Sequence, residues 1–205
     1  MRCRLDSGCH TQRTARYKTS LQCMGKDAGG MDASQIKLES FIRDIPDWPK
    51  KGILFRDITP LLRDAKAFAG AIAALAAPFA DKKIDYVAAV EARGFIFGSA
   101  VAEKIQAGFV PIRKHGKLPY TTESVTYDLE YGTDTLEVHM DAVTQDARVL
   151  MVDDLLATGG TMAAACQLVE KMGADVVGVT LLIELAALGG RAKLDGYSVS
   201  SIITY

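Results

Sequence analysis

Apolar positions along the chain keep two different rhythms. Between Ala33 and Ile42, the residues Ile36, Leu38, Phe41 and Ile42 recur on one side of a helical wheel and predict a helix. Pro46 and Pro49 then force an extended passage. Asp64 stands where a cap would open a second helix, from Ala65 to about Ala77. Beyond it, short apolar runs alternate with helical stretches. Asp85–Val90, Phe109–Arg113, Val149–Val152, Val176–Ile183 and Val199–Ile203 read as strands, and Gly94–Ile105 and Gly160–Met172 as helices. Strands that are apolar throughout are buried on both faces. The pattern therefore predicts an α/β fold, a mostly parallel twisted sheet flanked by helices. The segment Lys114–Asp128 breaks the rhythm. It is polar, with Gly116, Pro119, Thr121, Thr122, Ser124 and Thr126, and predicts a long flexible loop of the kind that often serves as a lid.

The 205 residues suit one such domain with an appendage. A net charge of -1 gives no reason to expect nucleic acid or an anionic membrane as partner. The longest apolar stretch, around Ala65 to Ala80, carries Lys66 and breaks at Pro78, short of the ~18 residues a membrane span needs. Cys3, Cys9 and Cys23 precede Met31 and only Cys166 lies in the body, which does not read as a disulfide framework and points to a reducing cytoplasm. Residues 1–30 stand apart. Arg2, Arg4, Arg13, Arg16, Lys18 and Lys26 face only Asp6 and Asp27, without hydrophobic periodicity. This predicts a disordered N-terminal extension ahead of a domain from 31 to 205; a basic arm or an organelle transit peptide is the alternative.

The densest chemical signal is Val149-Leu150-Met151-Val152-Asp153-Asp154-Leu155-Leu156-Ala157-Thr158-Gly159-Gly160-Thr161. An apolar strand ends in two acids, and a Thr/Gly loop opens a helix. Glycines let backbone approach an anion, a helix N-terminus supplies free N–H groups, and Thr158 and Thr161 add hydroxyl donors. The result is a phosphate cradle at the carboxyl end of a strand, without the Gly-Lys-Ser/Thr of a Walker loop. Two carboxylates beside such a cradle would repel a bare nucleotide, but they make sense as acceptors of hydrogen bonds from sugar hydroxyls. Glu91-Ala92-Arg93-Gly94 offers a second anion site between a strand and a helix, with Arg93 either a charged donor or the partner of Glu91. Arg113, Lys114 and Lys117 form a cationic cluster at the start of the polar segment, interrupted by His115. His10, His115 and His139 have no metal-ligand spacing.

On these residues the chain resembles the type I phosphoribosyltransferases. Within them, Ile45-Pro46-Asp47-Trp48-Pro49 with Gly52–Ile58, Glu91–Phe95, Arg113–Pro119 and Tyr127–Gly132 look like the adenine-specific branch. The resemblance covers Met31 to Tyr205. It implies the type I phosphoribosyltransferase fold with a small hood, a homodimer, and a reaction that joins adenine to phosphoribosyl pyrophosphate (PRPP) to form AMP and pyrophosphate.

Site residues follow from the same resemblance. Asp153, Asp154, Ala157, Thr158, Gly159, Gly160 and Thr161 would hold the ribose phosphate. Glu91, Ala92, Arg93, Arg113, Lys114, Lys117 and Tyr131 would hold the rest of PRPP, the first of these loops through a non-proline cis peptide. Phe55 would stack on adenine, with Leu185 on the opposite face and backbone groups of Leu54 and Arg56 reading the base edge. Glu130 would be the acid/base near the imidazole ring, and Arg93 would act on the leaving group. Mg²⁺ would be held through PRPP and water rather than by the protein. Two rivals stay open: a phosphoribosyltransferase for another base, and a PRPP-sensing transcriptional regulator, for which the thirty-residue arm lacks a DNA-binding module.

Overall fold

A computed structural model describes residues 37–128 and 132–205. The extension expected over residues 1–30 lies outside them, as do residues 33–36 of the first expected helix; from Lys37 onward that helix is a single 3-10 turn, Leu38–Phe41. The chain then forms a small antiparallel hairpin, β1 (Arg43–Pro46) with β2 (Leu54–Asp57). Asp57 fastens its end, accepting from the Thr59 N–H at 2.9 Å and the Thr59 hydroxyl at 2.8 Å. Short α1 (Thr59–Arg63) leads to α2 (Ala65–Ala76), which Asp64 caps as expected by accepting from the N–H groups of Lys66 and Ala67.

The rest is a seven-stranded sheet with helices on both faces. Its parallel strands are β3 (Tyr86–Val90), β4 (Gly108–Lys114), β7 (Arg148–Leu156), β8 (Asp175–Glu184) and β9 (Val199–Thr204). Antiparallel β5 (Thr122–Asp128) and β6 (Thr133–His139) complete one edge, giving the order β5-β6-β4-β3-β7-β8-β9. Helix α3 (Arg93–Ile105) follows β3, and α4 (Gly160–Lys171) follows β7. Period-two alternation divides the core. Leu150 and Val152 of β7 pack with Leu75 of α2 and Phe97 and Val101 of α3, while Val149 and Met151 pack on the other face with Leu168 and Val169 of α4. Among the described residues no helix is long and apolar enough to cross a membrane.

Two expectations are corrected. Lys114–Asp128 is not a loop throughout: Lys114 ends β4, and Thr122–Asp128 is a strand in full register with β6, leaving only His115–Thr121 between them. Its Thr and Ser residues alternate with Val125 and Tyr127, which pack against the α4-side core. This is the pattern of a strand buried on one face only. Strand β7 also continues past Val152 to Leu156, so the two acids lie within it rather than after it.

Candidate active site

Parallel pairing of β3 and β7, with Ala89 opposite Val152, brings their carboxyl ends side by side. Glu91-Ala92-Arg93 therefore adjoins Asp153-Asp154. The two strand ends and the start of α4 enclose a cleft of about 390 Å³, lined by Glu91–Arg93 and Asp153–Met162. The sequence expectations for these residues thus meet in one place, at the carboxyl edge where open α/β sheets bind ligands. The Glu91–Ala92 peptide is cis.

The sequence left Arg93 either a charged donor or the partner of Glu91; the structure pairs it with Asp154 instead, Arg93 Nε lying 2.8 Å from Asp154 Oδ2. Glu91 is taken from the other side. Its Oε2 accepts from Arg113 Nε at 2.8 Å; its Oε1 accepts from the Lys114 N–H at 3.1 Å and lies 3.3 Å from Lys117 Nζ. Burial pushes the Glu91 carboxyl up, but the Lys114 N–H, Arg113 and Lys117 outweigh it and hold the group below the ordinary carboxylate range. Lys114 Nζ pairs with Asp134 Oδ2 at 3.0 Å, and this hydrogen bond raises the lysine above its usual value. Each cation of the cluster thus has a carboxylate partner. His115 turns away from the cleft, its Nδ1 2.5 Å from Glu137 Oε1.

The acid pair is under electrostatic load. Burial, then the neighbouring Asp154 charge, pushes Asp153 well above the ordinary range. Asp154, 5 % exposed, is also raised by burial, with Arg93 offsetting part of the effect. A carboxyl with a raised folded pKa binds its proton more tightly in the native than in the unfolded state. Its destabilising contribution therefore appears as pH rises above the ordinary carboxylate range and is complete above the folded value. Asp153→Asn is accordingly expected to raise the melting temperature at pH 7 by about 2–4 °C. The gain should shrink as pH falls through the ordinary carboxylate range and vanish toward about pH 2, where the wild-type carboxyl is protonated in both states. Calorimetry at the two pH values checks this; equal or lower stability of the variant at pH 7 would contradict the load.

The loop from Ala157 to Gly159 is shaped by contacts distant in sequence. Gly159 holds φ 78°, and a Cβ there would stand 2.3 Å from the Gly190 carbonyl oxygen; a Cβ on Gly190 would stand 2.1 Å from that of Ala157. Gly190 begins a 3-10 segment, Gly190–Leu194, which Arg191 bolts to the sheet through Glu184, Ser201 and the Val199 carbonyl. Sequence reading missed this buttress. The Gly189-Gly190 pair was its one local signal. It also missed Lys193, whose Nζ lies 3.7 Å from the Cβ position of Gly160 and makes no ion pair among the described residues.

Of the expected base-binding residues, Phe55 and Leu185 each touch a residue that lines the cleft. Phe55 packs edge-on against Trp48, with centroids 4.5 Å apart, and the Arg93 guanidinium lies 5.7 Å from its ring. Arg93 thus links the β1–β2 hairpin to the acid pair. Leu54 is exposed. The Arg56 side chain pairs with Asp44 and lies 3.6 Å from the Tyr205 ring centroid. Leu185 follows β8 and donates its N–H to Leu156 of the cleft at 2.9 Å. Glu130 and Tyr131 lie outside the described residues. Among the described residues no group of three or more His, Cys, Asp or Glu side chains is arranged to hold a metal ion.

Comparison with known proteins establishes the family. The phosphoribosyl transferase domain family matches residues 61–203. The adenine phosphoribosyltransferase of Maridesulfovibrio salexigens is 57% identical over 168 residues, 82% of this chain and 99% of that protein. The chain belongs to the adenine phosphoribosyltransferases. The crystal structure of the Thermoanaerobacter pseudethanolicus member superposes with a TM-score of 0.81 at 53% identity, covering 85% of this chain and 100% of that one. The Saccharomyces cerevisiae enzyme, crystallised with adenine and an imino-altritol bisphosphate, superposes with a TM-score of 0.77 at 39% identity, covering 83% of this chain and 97% of that one.

Proposed function

We propose that the protein forms AMP and pyrophosphate from adenine and PRPP, a purine-salvage reaction. The observation that carries this is the cleft in which Arg93, the Asp153–Asp154 pair and the glycine-rich start of α4 converge beside Phe55. In this reading the 5′-phosphate lies on the N–H groups of Thr158–Thr161 at the positive end of α4, with the Thr158 and Thr161 hydroxyls as further donors. Asp153 and Asp154 accept from the ribose hydroxyls. Adenine stacks between Phe55 and Leu185, and backbone groups of Leu54 and Arg56 read its edge, a device that rejects bases with misplaced donors and acceptors.

Reaction at C1′ breaks the bond to pyrophosphate as adenine N9 attacks, and the proton lost by the imidazole ring passes to Glu130. Negative charge grows on pyrophosphate, beside Arg93 and within reach of Arg113, Lys114 and Lys117 if these exchange their carboxylate partners for it; the family resemblance adds Tyr131 as a further PRPP contact. Positive charge grows on the ribosyl ring, next to the acid pair, and this gives the electrostatic load of that pair a use. The donor chemistry of the cleft fits Mg²⁺: two adjacent carboxylates can take the waters of a hard cation whose remaining ligands are substrate oxygens. Such an ion supplies charge neutralisation to the leaving pyrophosphate. The family resemblance further supports a homodimer, and the cysteine usage a cytoplasmic enzyme.

The deciding assay is AMP formation from adenine, PRPP and Mg²⁺, run beside hypoxanthine, guanine, xanthine and uracil. Turnover of another base at comparable kcat/KM would overturn the adenine assignment. PRPP binding without turnover of any base would favour a sensor. Residues 1–30 are proposed to be dispensable. A chain beginning at Met31 is expected to keep its melting temperature and kcat/KM, and a large loss of either would place those residues in the working structure.

A further inference from the structure

Strand β5 reaches the phosphate loop through a single side chain. The Tyr127 hydroxyl lies 3.1 Å from Thr161 Oγ1, and this hydrogen bond joins residues 34 apart in sequence. The geometry around it is fixed from three sides. The Tyr127 ring packs against the α4-side core. Its Cδ2 lies 3.9 Å, and the Asp128 carbonyl oxygen 3.6 Å, from the Cβ position of Gly160. Further along the strand, Lys171 of α4 grips Glu123 Oε1 at 2.7 Å and the Ser124 carbonyl at 3.3 Å.

We infer that Tyr127 is a positioning residue for the 5′-phosphate, acting through the Thr161 hydroxyl. A threonine hydroxyl has one proton and two lone pairs. When Tyr127 donates to Thr161 Oγ1, it occupies an acceptor position and leaves the threonine proton free to donate elsewhere. It also holds the side chain in one rotamer, so no rotational freedom is lost when phosphate arrives. The tyrosine does not itself line the cleft. This deepens the reading of the glycine loop as a phosphate cradle and rests on it.

The test is calorimetric binding of ribose 5-phosphate, AMP and pyrophosphate to the full chain and to Tyr127→Phe, Thr161→Val and the double variant. Phenylalanine keeps the ring packing and removes only the hydroxyl. Tyr127→Phe is expected to weaken ribose 5-phosphate and AMP about 2- to 10-fold, the span of one neutral hydrogen bond. Pyrophosphate, which lacks the 5′-phosphate, should bind unchanged. Adding Tyr127→Phe to Thr161→Val should then cost nothing further, because the group it positions is gone. Ribose 5-phosphate binding to Tyr127→Phe as tight as to wild type would overturn the inference. So would fully multiplicative losses in the double variant, or equal loss of all three ligands with a lowered melting temperature, which mark a structural role. If wild-type protein bound neither ribose 5-phosphate nor AMP, the cradle reading itself would fall.

Discussion

Glu130→Gln is expected to lower kcat by about 10²–10⁴-fold, the contribution typical of one general acid/base group, with PRPP affinity nearly kept. Glutamine preserves the hydrogen-bonding shape of the side chain but cannot take up the proton that adenine releases. The chain leading to this residue is well anchored. Tyr127 bonds to Thr161, and the Asp128 carbonyl lies 3.6 Å from the Cβ position of Gly160, so β5 ends beside the phosphate loop. The acid pair should behave differently. Asp153→Asn and Asp154→Asn would each weaken the proposed charge-assisted bond to a ribose hydroxyl, worth about 1.5–3 kcal/mol, and should act on PRPP binding first. Asp154→Asn also loses its ion pair with Arg93. Steady-state kinetics with direct PRPP binding separates the two behaviours. Wild-type kcat in Glu130→Gln would remove that residue from the chemistry.

Gly159→Ala is expected to reduce kcat/KM for PRPP by about 100-fold, since a shift of roughly 1 Å in a reacting geometry costs that much. Two effects add. An alanine at φ 78° bears the strain of a left-handed conformation, about 1–2 kcal/mol. Its methyl would also stand 2.3 Å from the Gly190 carbonyl oxygen, which is backbone and has no rotamer with which to yield. The 3-10 segment behind it is held by Arg191 on Glu184 and Ser201, so the glycine loop has to move instead. Gly189→Ala is the control. It has φ 65° but nothing within 4 Å of the added methyl, so it should show the strain alone, a lower melting temperature with activity retained. Equal activity of Gly159→Ala and Gly189→Ala would mean that the cradle tolerates displacement.

The elements that build the cleft were legible because their signals are local. The apolar run before Asp153, the Thr/Gly loop and the helical spacing after Gly160 lie within a single stretch of chain, and strand β7, its loop and α4 stand there. Strand β5 was not legible. A strand at the sheet edge, buried on one face, has only Val125 and Tyr127 to mark it among Thr, Ser and Glu, and composition outweighed alternation. Its partner β6 is interior, but Leu136 and Val138 stand among Thr, Asp, Glu and His residues, so it was not legible either. Phe55 and Leu185, proposed to hold the base, had no periodicity to place them, and only the family resemblance singled them out.

Sequence by itself determined the α/β class, the phosphate loop and the set of charged groups available to the site. Tertiary structure alone decided how those charges pair. Because β3 lies between β4 and β7, Glu91 is reached by Arg113 and Lys117 from one side, and Arg93 reaches Asp154 on the other. It also decided that Gly190 would press against Gly159 and that Tyr127 would meet Thr161. Ion pairing, close packing and hydrogen bonding act over a few ångströms in space, and these partners lie 22 to 61 positions apart along the chain. Strand order and helix packing bring them together, and no local pattern records either.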